Sequence, residues 1–98
     1  MDMMTVTIQN SRGSRVKLRV NKYWSIYTLY RIIIFGLLKR MARKEKWTVT
    51  EYAKKMKAWH DRFDIKLTFG ENELVETDLL MGLGDGAILR QSFRFIGW

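Results

Sequence analysis

Cysteine is absent from this 98-residue chain, and so is proline. The first absence excludes disulfides, thiolate metal ligation and a cysteine nucleophile together, and it fits a reducing compartment. The second means that no residue imposes a chain break or a cis turn. Histidine occurs once, as His60, beside the apolar side of a predicted helix; no second metal-type residue stands at a useful spacing, so it reads as packing or surface. Long apolar runs are missing too. Ile32 to Leu38 is seven residues between Arg31 and Lys39, against about 20 for a bilayer span, and reads as core helix. The N-terminal Met1-Asp2-Met3-Met4 has no basic region followed by an apolar stretch, which sets the expectation of an intracellular protein of cytoplasm or nucleus.

One local absence organises the charge. No basic residue lies between Lys66 and Arg90, where Glu71, Glu73, Glu76, Asp78 and Asp85 all fall. The rest of the chain carries 18 basic and 5 acidic residues, a net of +13 within a total of +8. An acidic edge and a larger basic surface favour polyanions or acidic protein surfaces as partners, without bearing on fold. The same polarity allows head-to-tail self-association that salt would dissolve.

What is present suits one globular domain over residues 1–98: 47% apolar and 29% charged residues, enough for a core without staples. Met4, Val6 and Ile8 alternate with Thr5, Thr7 and Gln9; Val16, Leu18 and Val20 alternate with Arg15, Lys17 and Arg19. With Gly13 in the turn this is a β-hairpin, apolar on one face and basic on the other. The period then changes. Ser25 is a predicted N-cap, and Ile26, Leu29 or Tyr30, Ile33, Leu37 and Met41 follow at helical spacing. Tyr27, Ile34 and Leu38 add a second apolar stripe, too much for one buried face, so a further element must cover this helix. Thr48 and Glu51 make a capping-box start for that cover, whose stripe of Val49, Tyr52, Ala53, Met56, Trp59 and Phe63 is expected to pack on the first helix. Gly36 is expected to permit their close approach. Strand returns at Ile65, Leu67 and Phe69, then comes a turn at Gly70-Glu71-Asn72 and a short strand around Leu74. Leu79, Leu80, Met81 and Leu83 form a loop or helical turn plugging the core; Gly84-Asp85-Gly86 turns into a last strand, Ala87 to Phe95.

This order resembles that of the ubiquitin-like (β-grasp) superfold, an α+β mixed sheet packed on one long helix. Ser25-Ile26-x-x-Leu29-x-x-x-Ile33 resembles the ubiquitin helix pattern, Leu67-x-Phe69-Gly70-x-x-x-Leu74 its third strand and turn, and Gly84-Asp85-Gly86-Ala87-Ile88 its entry into the final strand. Residues 42–63 lie outside the resemblance and read as an inserted second helix. Two departures matter. Conjugation needs a tail ending in two glycines, whereas this chain ends Arg94-Phe95-Ile96-Gly97-Trp98, so it is not expected to be a covalent modifier. The isoleucine at the centre of ubiquitin's recognition patch is matched by Thr68, so ubiquitin's receptors are not expected to bind.

In the resemblance's strand order, Arg15, Lys17, Arg19, Lys66, Arg90 and Arg94 share the outer sheet face with Thr68. Such a face binds an acidic protein surface or RNA/DNA, or is merely solvated. Lys39, Arg40, Arg43, Lys44 and Lys46 form a second basic cluster; cations there oppose the helix dipole, and an anionic membrane is the disfavoured alternative. Trp98, beside Phe93 and Phe95, is either an aromatic anchor for a base or a protein pocket, or a tail folded onto the core. Gly82-x-Gly84-x-Gly86 has neither the spacing of a phosphate loop nor a following helix. No carboxylate pair or nucleophile–base set stands out, so no enzyme, cofactor, metal or small-molecule substrate is expected. The expectation is a non-catalytic protein-interaction module in a larger assembly, such as a ribonucleoprotein, with direct nucleic-acid binding or peripheral membrane association as alternatives.

Overall fold

The hairpin forms where the alternation predicts it. In a computed structural model, which describes residues 2–98, β1 (Met3–Gln9) pairs antiparallel with β2 (Arg15–Asn21), joined by a turn in which Gly13 takes φ +86°. Met1, part of the N-terminal reading, lies outside the described residues. The chain continues as α1 (Ile26–Glu45), α2 (Val49–Lys57), a one-turn α3 (Trp59–Arg62), β3 (Phe63–Phe69), β4 (Asn72–Glu73), a 3-10 turn over Leu80–Leu83 and β5 (Ala87–Phe95).

Strand order is β2-β1-β5-β3-β4, with β5 parallel to β1 and the other neighbours antiparallel. This is the β-grasp architecture, an α+β mixed sheet gripping one long helix. Register fixes the faces. Val6 sits opposite Leu18 and Ala87, and Ile8 opposite Val16 and Leu89, so these residues turn together toward α1. Val6, Val20, Leu67 and Leu89 from the sheet meet Ile26, Leu29, Ile34 and Leu38 of α1, all fully buried. Deleting any of these side chains to alanine costs about 2–5 kcal/mol for the aliphatic ones larger than valine.

α1 starts where a hydroxyl can cap it: Ser25 Oγ accepts from the Thr28 amide at 3.4 Å. Its next free donors are met by the acidic segment. The Ile26 and Tyr27 amides donate to the carbonyls of Asp78 and Glu76, at 2.8 and 3.0 Å. Two residues of the acidic window, Glu76 and Asp78, thus lie at the positive end of a 20-residue helix that has no acid in its own first turn. The other end stops at Lys46, left-handed at φ 55°, whose N–H returns to the Ala42 carbonyl.

Several expectations are corrected. The buried stripe of α1 is Ile26, Leu29, Tyr30, Ile34 and Leu38, whereas Ile33, Leu37 and Met41 are only half-buried. α2 is no broad cover: none of its residues is buried, Val49 is 87% exposed and Ala53 is exposed, leaving Tyr52 and Met56 half-buried. The predicted single helix breaks at Ala58, and its two largest apolar residues are buried as members of other elements, Trp59 in α3 and Phe63 at the start of β3. Gly36 approaches nothing; a Cβ placed there would meet no atom within 4 Å. Of the four apolar residues around the 3-10 turn only Leu80 is fully buried in the core; Leu83 packs against it half-buried, and Leu79 and Met81 are half-exposed.

β4 is two residues long and ends before it reaches Leu67. The Leu67 carbonyl still finds the Leu74 amide at 2.9 Å, but its N–H points past the strand and donates to Tyr30 Oη at 3.3 Å. A buried tyrosine on α1 therefore closes the ladder that the short strand leaves open.

Candidate functional site

The pleat assembles the site. Arg15, Lys17 and Arg19 alternate with the core-facing residues of β2. In β5, Arg90 and Arg94 alternate with Leu89 and its partners, and Lys66 does so beside Leu67 in β3. The pairs Thr68–Arg90, Lys66–Ser92 and Asp64–Arg94 connect β3 to β5, and Gln9 lies between Arg15 and Arg90. All six predicted cations thus occupy the sheet face opposite α1, with Thr68 among them. Thr7, at the centre of this face between Lys17 and Ile88, is buried, so the long side chains around it lie over the sheet and do not all stand away from it.

Charge across the face is uneven. On the β3 side Lys66 Nζ is 4.0 Å from Glu73 and Arg94 Nη2 is 3.9 Å from Asp64, and Arg90 donates to the Gly70 carbonyl at 3.1 Å. On the β2 side Arg15 donates only to the neutral Gln9 amide oxygen, at 3.2 Å. Among the described residues, Arg15, Lys17 and Arg19 have no salt bridge. Exposed pairs at 4 Å contribute little, so the difference between the two sides is one of local pairing: the β2 cations have no carboxylate partner among the described residues.

β2 is also an edge strand, and its core-facing side is incompletely covered. Between β2 and α1 runs a groove of about 680 Å³ lined by Val16, Leu18, Ile32, Ile33, Gly36 and Leu37. Val16 is 56% exposed there, and Arg40 is the charged side chain among the lining residues. Sequence reasoning missed this groove. The signal was present in the first apolar stripe of α1, whose Ile33 and Leu37 line the groove while Ile34 and Leu38 of the second stripe are buried. A smaller apolar hollow lies by Leu74, Leu79, Met81 and Leu83, next to Asp78.

The second basic cluster divides. Arg43 and Lys44 occupy the last turn of α1, where they oppose its dipole, and Lys46 is the cap itself; Lys39 is exposed on the helix, and Arg40 turns to the groove. Trp98 folds back. Its ring meets Trp47 edge-on at 5.6 Å, Phe95 at 5.1 Å and Phe63 at 5.7 Å, and remains 40% exposed. Lys55 Nζ sits 4.8 Å from the Trp98 ring and 4.7 Å from that of Trp47, so a lysine of α2 bridges two indoles.

The acids serve local structure. Asp85 accepts from the Thr5 amide at 2.7 Å and Asp78 from the Val75 amide at 2.9 Å, while Glu76 faces His60 Nε2 at 3.0 Å. His60 is exposed, against Trp59 and Tyr27. Gly84 and Gly86 take φ +82° and +81° in the turn before β5. Burial raises the Tyr30 phenol above its ordinary value of 10.0, the Leu67 amide opposing that shift. Among the described residues no three of His, Asp or Glu gather where a metal could be held, and no helix is long and apolar enough to cross a membrane.

No protein-family model matches the chain, and no curated protein matches it. Among solved structures it is similar to one described as "Molecular Mimicry of SUMO promotes DNA repair", with a TM-score of 0.52 and 16% identity, covering 94% of this chain and 92% of that one. At that identity the likeness speaks for the fold alone. Taken with the strand order and the single gripped helix, it makes the fold of this chain ubiquitin-like.

Proposed function

We propose that the chain is a non-catalytic, intracellular ubiquitin-like interaction module, one domain over residues 1–98 with 42–63 inserted, serving as a subunit of a larger assembly. Its partner is an acidic protein surface, met by the outer sheet face. The carrying observation is the register, which gathers Arg15, Lys17, Arg19, Lys66, Arg90 and Arg94 on a face that no helix covers. A rigid sheet holds these cations at fixed spacing, so little backbone order is lost on docking. The ubiquitin-like fold of a protein described as mimicking SUMO supports a role in protein recognition.

Nucleic acid is the second reading, because four of the six cations are arginines, which suit phosphate. Fluorescence anisotropy separates the two. A labelled oligoglutamate and a labelled RNA of equal length are titrated at low and high salt into the wild type, Arg15→Glu/Arg19→Glu and Lys66→Glu/Arg90→Glu. The acidic polypeptide is expected to bind, and each double reversal to weaken it at least tenfold. Indifference to both reversals sinks the proposal; tighter RNA binding with a steep salt slope moves nucleic acid into first place.

A further inference from the structure

Three segments bring two indoles to one lysine. Trp47 lies in the link between α1 and α2, Trp98 follows β5, and Lys55 stands in the last turn of α2. The two rings meet nearly at right angles, 81° with centroids 5.6 Å apart, and form the walls of a notch. Lys55 Nζ sits in it, 4.7 Å from the Trp47 centroid and 4.8 Å from that of Trp98, inside the roughly 6 Å over which an aromatic face attracts a cation. Glu45 accepts from Trp47 Nε1 at 2.8 Å, which fixes the orientation of that indole. Trp98 packs on Phe63 and Phe95, yet 40% of it stays exposed and open to a ligand.

The notch suits a different cation better than the lysine that fills it. A primary ammonium is strongly hydrated and carries three hydrogen-bond donors. Lys55 is half-buried against the rings with no salt bridge among the described residues. A trimethylammonium has no donor to satisfy, and its methyl groups pack on both rings while its charge meets both faces. The charge of the chain narrows the choice. At +8 overall, with Lys54 and Lys57 in the same turn as Lys55, it repels a bare cation or a polybasic peptide. An anion tied to the ammonium offsets that repulsion.

We infer that Trp47 and Trp98 form a binding site for the quaternary ammonium of a phosphocholine-type ester, with Lys55 as a built-in occupant that such a ligand displaces. The ammonium enters between the rings and the phosphate stays in the positive field of the α2 lysines. The site draws on none of the six sheet-face cations, so it is a second capacity that stands or falls apart from the acidic-protein reading.

The test titrates the full chain with phosphocholine and with neohexyl phosphate, an ester of the same shape in which carbon replaces the charged nitrogen. Binding is followed by NMR at the indole N–H resonances of the tryptophans. Phosphocholine is expected to shift those of Trp47 and Trp98 and leave Trp24 and Trp59 in place, and to bind about tenfold more tightly than the neutral ester. Lys55→Ala, which empties the notch, is expected to tighten phosphocholine binding by about fivefold or more. Trp98→Leu keeps apolar bulk at an exposed position without an aromatic face, and should abolish binding while keeping the wild-type Tm within a few degrees. Co-sedimentation with phosphatidylcholine vesicles would assign the ligand to a lipid headgroup; binding in solution without it would assign a soluble ester. The inference is overturned if the two esters bind alike, if Lys55→Ala binds no more tightly than the wild type, or if Trp47 and Trp98 do not respond. It is also overturned if a trimethyllysine peptide binds more tightly than phosphocholine.

Discussion

The two flanks of α1 are built from similar residues and end in opposite conditions. Toward β3, Tyr27 lies against Trp59, which is buried, and α3 runs straight into β3; beyond it Trp47, Phe63, Phe95 and Trp98 close into one aromatic cluster with Lys55 across two of the rings. Toward β2, Ile32, Ile33 and Leu37 look across a groove at Val16 and Leu18 with no element above them. α2 and α3 return the chain on the β3 side, because α3 leads directly into β3. The opposite flank is left with apolar surface that folding alone does not bury. What covers a helix flank is thus set by where the chain runs next, and not by how apolar the flank is.

The comparison can be broken most sharply at Trp59. Replacing a buried indole with alanine removes the packing between α3, α1 and β3, and Trp59→Ala should lower unfolding free energy by about 3–5 kcal/mol in denaturant titration. A loss below about 1 kcal/mol would mean the covered flank is no better packed than the open one.

Tyr30 sharpens it at the floor of the same flank. Tyr30→Phe leaves the Leu67 N–H without its partner and should cost about 1–2 kcal/mol at neutral pH. The pH dependence has a fixed sign. Because the folded phenol's pKa is raised above 10.0, the neutral phenol's contribution is fully present below that value and is lost as pH rises through the folded pKa. The alkaline fall in stability should therefore be steeper in the wild type than in Tyr30→Phe. Parallel curves would place the phenol in an ordinary environment.

Ile32 gives the smallest effect. It is 37% exposed on the open flank, and alanine is the better helix former, so Ile32→Ala should cost less than about 1 kcal/mol. A cost matching that of Trp59→Ala would show the groove to be closed in solution and would remove the contrast.

Much of this was legible from residue order. Period-two alternation placed β1 and β2 within a residue of their ends, and Ser25 and Thr48 marked the starts of α1 and α2 because an N-cap is a local device needing only a hydroxyl and a following amide. Parity along each strand is also local, and the strand order implied by the ubiquitin-like resemblance was needed to put the six cations on one sheet face. What failed involved partners distant in sequence. Which stripe of α1 is buried depends on where the sheet lies. Val49 and Ala53 matched a helical stripe, yet no layer stands above them. Gly36 faces open space, which glycine's permissiveness does not reveal.

By itself, then, the sequence determined the strands of the hairpin and the starts of α1 and α2, the alternation that makes one hairpin face basic, and the concentration of acids between Lys66 and Arg90. The tertiary structure decided that Glu76 and Asp78 among those acids lie by the N-terminus of α1, that Lys66 and Arg94 have partners while Arg15, Lys17 and Arg19 have no salt bridge among the described residues, and that β2 is an edge beside a groove. The physical reason is range. Capping and pleating act over a few residues, whereas covering a helix flank depends on which strands come to lie beneath it.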